Sequence, residues 1–317
     1  MNRQMAVGQG EHLNETKASW GVILLGHGSQ RGASPRECSC AWQQPAQDEG
    51  NNGSGSGSVA DLPGWPVWCR RCPNTPQGLG EVAQRLQDRL GVERANVMLS
   101  CLEFIEPFPD EAVRLLSQQG MNRVVMLPYL LGHGKHATVE MDEMLEEVRA
   151  QSPQVELLLA DGLGADPRLA ELIVDRINSM GEAAPVPQDG VPVGILLVKA
   201  GTRTQYDDCL WLAELGRMVE SRMGEGYAVD VAQSHYGDPT MEFAAARLVD
   251  ERGVKSIICA PYIFFPGLIL TRNVLGTLDQ LREVYPAVSM VVAPPLGVDD
   301  RLIDVAADRV REVWGED

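Results

Sequence analysis

The chain repeats itself at a long, fixed interval, and this limits the possible folds more than any other feature. Pro128 and Pro261, Pro153 and Pro286, and Gly164 and Gly297 are each 133 residues apart, and Pro107 and Pro239 are 132 apart. The markers sit at matching places. Residues 123–129 and 255–262 are apolar runs that end in Pro-Tyr. Residues 155–160 and 288–293 are apolar runs that lead to a Leu-Gly pair. The opening run departs from the interval: the first run at 22–26 has its counterpart in the run at 194–198, and His27 matches Ala200 at 173. The difference means that 40 extra residues lie early in the first copy, between its first strand and its first helix. Residues 31–76 fill that excess and hold a Gly/Ser run at 53–58, the composition of a flexible segment.

Within each copy, short continuous apolar runs alternate with helical stripes. Val22-Ile23-Leu24-Leu25 and Ile195-Leu196-Leu197-Val198 read as strands buried on both faces. Leu79, Val82, Leu86 and Leu90 make one helical stripe, and Ala112, Leu115 and Leu116 a second. Met141, Met144, Leu145 and Val148 make a third, and Leu169, Leu172, Ile173 and Ile177 a fourth. Each copy therefore reads β-α-β-α-β-α-β-α. That order implies two tandem flavodoxin-like α/β domains, each a four-stranded parallel sheet in the order 2-1-3-4 with helices on both faces. The expected divisions are a disordered tail at 1–19, a first domain at 20–180 with the insertion at about 31–76, a linker at 181–191, and a second domain at 192–317.

Composition removes several classes of function. A formal net charge of -17 argues against non-specific nucleic-acid binding and against an anionic membrane surface as partner. The most apolar stretch, 256–270, is too short to span a bilayer and is broken by Pro261 and Pro266. The first 19 residues have no apolar core, so no secretory signal is read and a cytoplasmic location is expected. Seven cysteines in a reducing compartment point to thiols or metal ligands rather than a disulfide framework.

In open α/β sheets, ligands bind beyond the carboxyl ends of the strands, where the strand order reverses. For the order 2-1-3-4 that place lies between the first and third strands. His27 follows the first strand, and His133 and His136 follow the third, so three of the five histidines fall on the two flanking loops. Glu103 follows the second strand beside them. Gly26-His27-Gly28-Ser29 and Gly132-His133-Gly134-Lys135-His136 are permissive loops that let a ligand approach the backbone. Glu140 stands four residues after His136, one helical turn away if a helix begins near Ala137. The second copy has Ala200 for His27 and Ile269 for His136, and keeps only His235, aligned with Glu103. One active half and one supporting half is the simplest account.

These residues resemble the class II chelatases, the sirohydrochlorin cobalto- and ferrochelatases in their long two-domain form. The matching motifs are Leu24-Leu25-Gly26-His27-Gly28-Ser29, Glu103 with Glu106-Pro107, residues 124–128 followed by His136, and Pro153 leading to Leu163-Gly164. The resemblance implies insertion of cobalt or iron, as a divalent metal substrate, into sirohydrochlorin or a related anionic tetrapyrrole of cobalamin or siroheme synthesis. It implies that His27 and His136 bind the metal and help remove pyrrole protons, and that Glu103 is the family's acidic residue. His133 stands where the family has a small residue. A neutral imidazole suits both tasks near pH 7, and carboxylates at the mouth, Glu103 and Glu140, can draw in the cation and relay protons. A polycarboxylate needs local positive charge. Ser29, Arg31 and Lys135 are the expected substrate-binding residues, with Arg36, Arg70 and Arg71 near the mouth or on the insertion, and Lys199, Arg203 and Arg272 on the equivalent loops of the second half.

The insertion departs from that pattern. It holds Cys38-Ser39-Cys40 and Cys69-Arg70-Arg71-Cys72, two close pairs that suit a zinc ion or an iron–sulfur cluster, with a reversible disulfide or free thiols as the other readings. Cys101, Cys209 and Cys259 fall in expected regular elements and are read as buried. Two further functions stay open: a non-catalytic tetrapyrrole or metal carrier, and a chelatase for nickel or another macrocycle. A phosphate-binding domain is disfavoured, because no Walker or G-x-G-x-x-G motif is present. Whether the protein is a monomer or a homodimer is not legible.

Overall fold

A computed structural model describes residues 20–28, 78–91, 94–103, 106–132, 139–188, 190–201 and 210–315. The first half runs β1 (Trp20–Gly26), α1 (Leu79–Leu90), β2 (Ala95–Cys101), α2 (Pro109–Gln118), β3 (Arg123–Pro128), α3 (Val139–Gln151), β4 (Glu156–Leu159) and α4 (Pro167–Asn178). The second repeats it: β5 (Val193–Lys199), α5 (Leu210–Met223), β6 (Tyr227–Gln233), α6 (Met241–Ala246), β7 (Ser256–Tyr262), α7 (Leu275–Val284), β8 (Ser289–Val292) and α8 (Asp300–Trp314). Wide π-type turns extend α6 over Arg247–Glu251 and lead into α7 over Ile269–Val274. Both sheets are parallel, ordered β2-β1-β3-β4 and β6-β5-β7-β8, as the alternation predicts.

The register explains the continuous apolar runs. Val22 and Leu24 of β1 face one cluster with α1 and α4, while Ile23 and Leu25 face another with α2 and α3. A central strand covered on both faces cannot afford an exposed polar side. The helical stripes are buried in turn: Leu79, Val82, Leu86 and Leu90 of α1, and Leu169, Leu172, Ile173 and Ile177 of α4.

The two halves share one core. The cluster that takes the α1/α4 face of the first sheet continues into the α5/α8 face of the second. Helix α1 packs on α8, α4 on α5, and α4 on α8. The first two contacts are the same contact with the halves exchanged, the mark of an isologous interface made inside one chain. Its polar rim repeats the relation. Asp166 caps α4 and binds Arg168, which reaches Asp308 at 2.7 Å; Asp299 caps α8 and binds Arg301, which reaches Asp175 at 2.6 Å. Arg176 donates to the Leu296 carbonyl, and its counterpart Arg309 to the Gly162 carbonyl.

The repeat-related Pro107 and Pro239 both follow cis peptide bonds. Their carbonyls accept from the Cys101 and Gln233 backbone N–H groups at the ends of β2 and β6. No helix among the described residues is long and apolar enough to cross a membrane.

Candidate functional site

Residue His27 is the first residue past β1 and is exposed at the carboxyl end of the sheet. Because β1 lies between β2 and β3, the loop that carries it opens at the predicted reversal point. The ladder continues beyond the strand ends: Leu102 N–H donates to the Gly26 carbonyl at 2.9 Å, and Glu103 N–H to the His27 carbonyl at 3.0 Å. Glu103 is therefore held beside His27 by the backbone, and it is half-buried. On the other flank, Tyr129 N–H donates to the Leu25 carbonyl at 2.9 Å, and the chain leaves β3 toward Gly132.

The glycines of the β1 loop have separate reasons. Gly26 is the buried last residue of the strand, and a Cβ there would meet Leu79 Cδ1 at 3.0 Å. Gly28 has φ +92°, and a Cβ there would stand 1.9 Å from the Glu103 carbonyl oxygen. Sequence reasoning assigned this glycine to ligand approach; its immediate need is the approach of its own chain. Gly201, its repeat partner, has the same relation to His235, with a Cβ falling 1.2 Å from that carbonyl oxygen. The shared offset of 173 residues between Gly28 and Gly201 was the available signal.

The structure brings together His27 and Glu103. Helix α3 begins at Val139, which puts the backbone of Glu140 in its first turn. His136, Lys135, His133, Ser29, Arg31, Arg36, Arg70, Arg71, Arg203 and all four insertion cysteines, Cys38, Cys40, Cys69 and Cys72, lie outside the described residues, as does Cys209. Among the described residues there is no group of three or more His, Cys, Asp or Glu that could hold a metal. Cys101 lies just below the loop, and burial pushes its thiol up to about 12. Cys259 is buried in the same way.

Two features escaped the sequence reading. The first is that the stem of the β3 loop rests on the other half: a Cβ on Gly132 would meet Trp211 Cζ2 of α5 at 2.5 Å. Its mirror contact has the sizes exchanged, with Phe265 after β7 against Gly78 before α1, where a Cβ would meet the ring at 2.6 Å. Tyr129 also stacks on Phe264, centroids 4.5 Å apart. The mouths of the two sheets thus adjoin. The second is Lys199, expected on a loop, which is instead the buried last residue of β5.

Comparison with known proteins adds an independent line. The family model described as CbiX matches residues 70–180 and 194–313. The first stretch contains Glu103, His136 and Glu140, while His27 stands ahead of it on β1, beyond the inserted residues. A sirohydrochlorin ferrochelatase of Priestia megaterium is 26% identical over 212 residues, covering 66% of this chain and 75% of its own. A sirohydrochlorin cobaltochelatase of Methanopyrus kandleri is 29% identical over 133 residues, covering 35% of this chain and 92% of its own. Among solved structures, SirB from Bacillus subtilis with Fe3+ superposes with a TM-score of 0.65 at 17% identity, covering 93% of this chain and 95% of that one. SirB from Bacillus subtilis subspecies spizizenii in complex with cobalt gives 0.60 at 13% identity, covering 93% and 94%. At such identities the superpositions establish the two-domain fold.

Proposed function

The chain belongs to the CbiX family, and from that premise we propose that it is a cytoplasmic lyase-type chelatase that inserts cobalt(II) or iron(II) into sirohydrochlorin. The observation that carries this reading is the placement of His27 at the reversal point of the first sheet, with Glu103 bonded to its backbone. The names of the similar ferrochelatase and cobaltochelatase support the substrate and the two metals.

The reaction exchanges two pyrrole N–H protons for one divalent cation, so the site has to strip water from the metal and accept protons. His27 is exposed at the mouth and presents an imidazole, a side chain able to ligate a divalent metal and to accept a proton. His136, four residues beyond Gly132 in the chain, is the second imidazole of this proposal. Glu103 and Glu140 add negative charge that concentrates the cation and carries protons outward. Ser29, Arg31 and Lys135 hold the macrocycle's carboxylates at the same mouth. At the positions of His27 and His136 the second half has Ala200 and Ile269.

The insertion cysteines, Cys38, Cys40, Cys69 and Cys72, are proposed to share a zinc ion or an iron–sulfur cluster. Their C-x-C and C-x-x-C spacing supports that reading.

Anaerobic incubation of the protein with metal-free sirohydrochlorin and either cation, followed by absorption spectroscopy, tests the proposed activity. The expected result is metallation faster than the uncatalysed reaction and lost in His27→Ala. Stoichiometric binding with no acceleration would identify a carrier and overturn the enzymatic reading.

A further inference from the structure

The two mirrored contacts at the mouths run in one direction. Gly78 and Trp211 are repeat partners 133 residues apart, and so are Gly132 and Phe265. At both contacts the second half supplies an aromatic ring and the first half a glycine. A Cβ on Gly132 would meet the Trp211 indole at 2.5 Å, and one on Gly78 would meet the Phe265 ring at 2.6 Å and Val298 Cγ2 at 2.8 Å. Phe264 adds a third ring from the same side, stacked on Tyr129 with an interplanar angle of 12°. Its own repeat partner is Leu131. Two halves that only had to cover each other's apolar stripes could share large and small residues either way. The half that carries His27 has the glycine at both places, so its mouth is shaped from outside.

The adjacent rings of Phe264 and Phe265 reach the strand that leads to His27 from two flanks. On one flank, Phe265 lies over Gly78, the residue that caps the start of α1 and offers the helix no side-chain hydrogen bond. Leu79 follows it, and Leu79 Cδ1 is 3.0 Å from the place a Cβ on Gly26 would take, immediately before His27. On the other flank, Phe264 stacks on Tyr129, whose N–H donates to the Leu25 carbonyl, two residues before His27. The Tyr129 hydroxyl is buried with no hydrogen-bond partner among the described residues, whereas the Tyr262 hydroxyl reaches the Gly164 carbonyl at 3.4 Å. Ring packing, not its hydroxyl, therefore fixes the Tyr129 side chain.

The two rings are themselves braced. Leu296 N–H donates to the Ile263 carbonyl at 3.0 Å and Gly297 N–H to the Phe264 carbonyl at 2.8 Å. Arg176 of the first half holds the Leu296 carbonyl in turn. A metal-binding side chain works only when the residues behind it keep it within about 0.5 Å of its productive geometry. An exposed residue just past a strand takes its position from the strand end beneath it, here Leu25 and Gly26. A close-packed interior passes a displacement on rather than absorbing it, so movement of either ring is felt at that strand end.

We propose that Phe264 and Phe265 of the second half are positioning residues for His27, acting through Tyr129 and through Gly78 and Leu79 on the end of β1. This rests on the reading of His27 as a metal-binding group of a chelatase. It gives the half without the histidines a part in setting the metal site of the other.

The test is titration of cobalt(II) into the full chain under anaerobic conditions without macrocycle, read as the share of binding that His27→Ala removes, with steady-state metallation alongside. Phe265→Ala and Phe264→Leu should each weaken the His27-dependent binding and lower kcat by about tenfold or more, the scale on which residues behind a metal ligand act. KM for the macrocycle should stay unchanged. Phe265→Met, which keeps most of the bulk, should recover most of the loss. In a His27→Ala background the same substitutions should alter neither the residual cobalt binding nor the residual rate, since a residue that acts through His27 then has nothing to move. If Phe265→Ala does not fold, Phe265→Leu takes its place in the cycle, with the same outcome expected. Effects of equal size with and without His27 would show that the rings serve the fold alone and would overturn the proposal. Unchanged cobalt affinity in the folded variants would overturn it too. Ring-dependent cobalt binding at His27 in a protein that does not accelerate metallation would leave the positioning role standing and sink the chelatase reading alone. A wild type with no His27-dependent cobalt binding would sink both.

Discussion

Gly28 lies under Glu103 so closely that a Cβ on it would stand 1.9 Å from the Glu103 carbonyl oxygen. With Glu103 N–H bonded to the His27 carbonyl, the two segments are laced together on either side of the proposed catalytic imidazole. Gly28→Ala must push them apart or abandon φ +92°. We expect it to cost about 1–3 kcal/mol of strain and to lower metallation far more than Gly201→Ala, whose equivalent approach is to His235. Thermal melts of both variants beside their metallation rates check this. Equal activity losses would show that the glycine serves the fold alone.

Loss of either histidine removes a metal-binding and proton-accepting group together. His27→Ala and His136→Ala should each slow metallation by roughly 100-fold or more while the far-ultraviolet spectrum stays native, since general acid–base groups contribute on that scale. Glu103→Gln and Glu140→Gln should slow it less and raise the metal concentration required. Near wild-type rates in both folded histidine variants would refute the site assignment, and an unchanged metal dependence in both glutamate variants would refute the delivery role.

The interface between the halves should weaken in acid. At Asp166, burial alone would raise the carboxyl pKa, but the Arg168 hydrogen bonds override it and hold it below the usual 3.8; Arg301 does the same for Asp299. A carboxyl depressed in the folded protein binds its proton more readily when unfolded, so its stabilisation is complete above about pH 4 and fades as pH falls through the folded value. Denaturant unfolding from pH 6 to pH 2.5 should show stability falling at the acid end, with a shallower fall in Asp166→Asn and Asp299→Asn. Asp166→Ala or Asp299→Ala also removes a helix cap and should cost about 1 kcal/mol at pH 7. An acid profile identical to wild type in the asparagine variants would remove these two carboxyls as the cause.

For the insertion, elemental analysis of anaerobically purified protein should find zinc or iron bound in excess of a variant with Cys38, Cys40, Cys69 and Cys72 all changed to Ser. An iron–sulfur cluster would also colour the protein, and zinc would not. Equal metal content in the two proteins, with His27 and His136 intact in both, would sink the shared-site idea.

Part of the site was open to the sequence because it depends on chain order. His27 follows an apolar run and Glu103 another, and the alternation of runs and stripes orders the strands so that both residues meet at one reversal point. Lys199 was not open in this way. It reads as a loop cation beside Ala200, and nothing local distinguishes a solvated lysine from one enclosed by Trp211, Gln233 and Tyr262, residues that come from three other elements. Gly132 is equally mute, because the indole that demands a glycine there belongs to the opposite half.

The sequence by itself determined that there are two copies of one parallel α/β unit, since strand burial on two faces and helix burial on one impose periods that a linear chain displays. It also set the chemical difference between them, His27 against Ala200 and Glu103 against His235. Only the tertiary structure decided that the copies pack as an internal dimer through α1, α4, α5 and α8, with Trp211 under Gly132 and Arg168 on Asp308. The physical reason is that apolar stripes specify burial without naming a partner. Which surface covers them follows from shape and from charges more than a hundred residues apart, and these meet only when both sheets have formed.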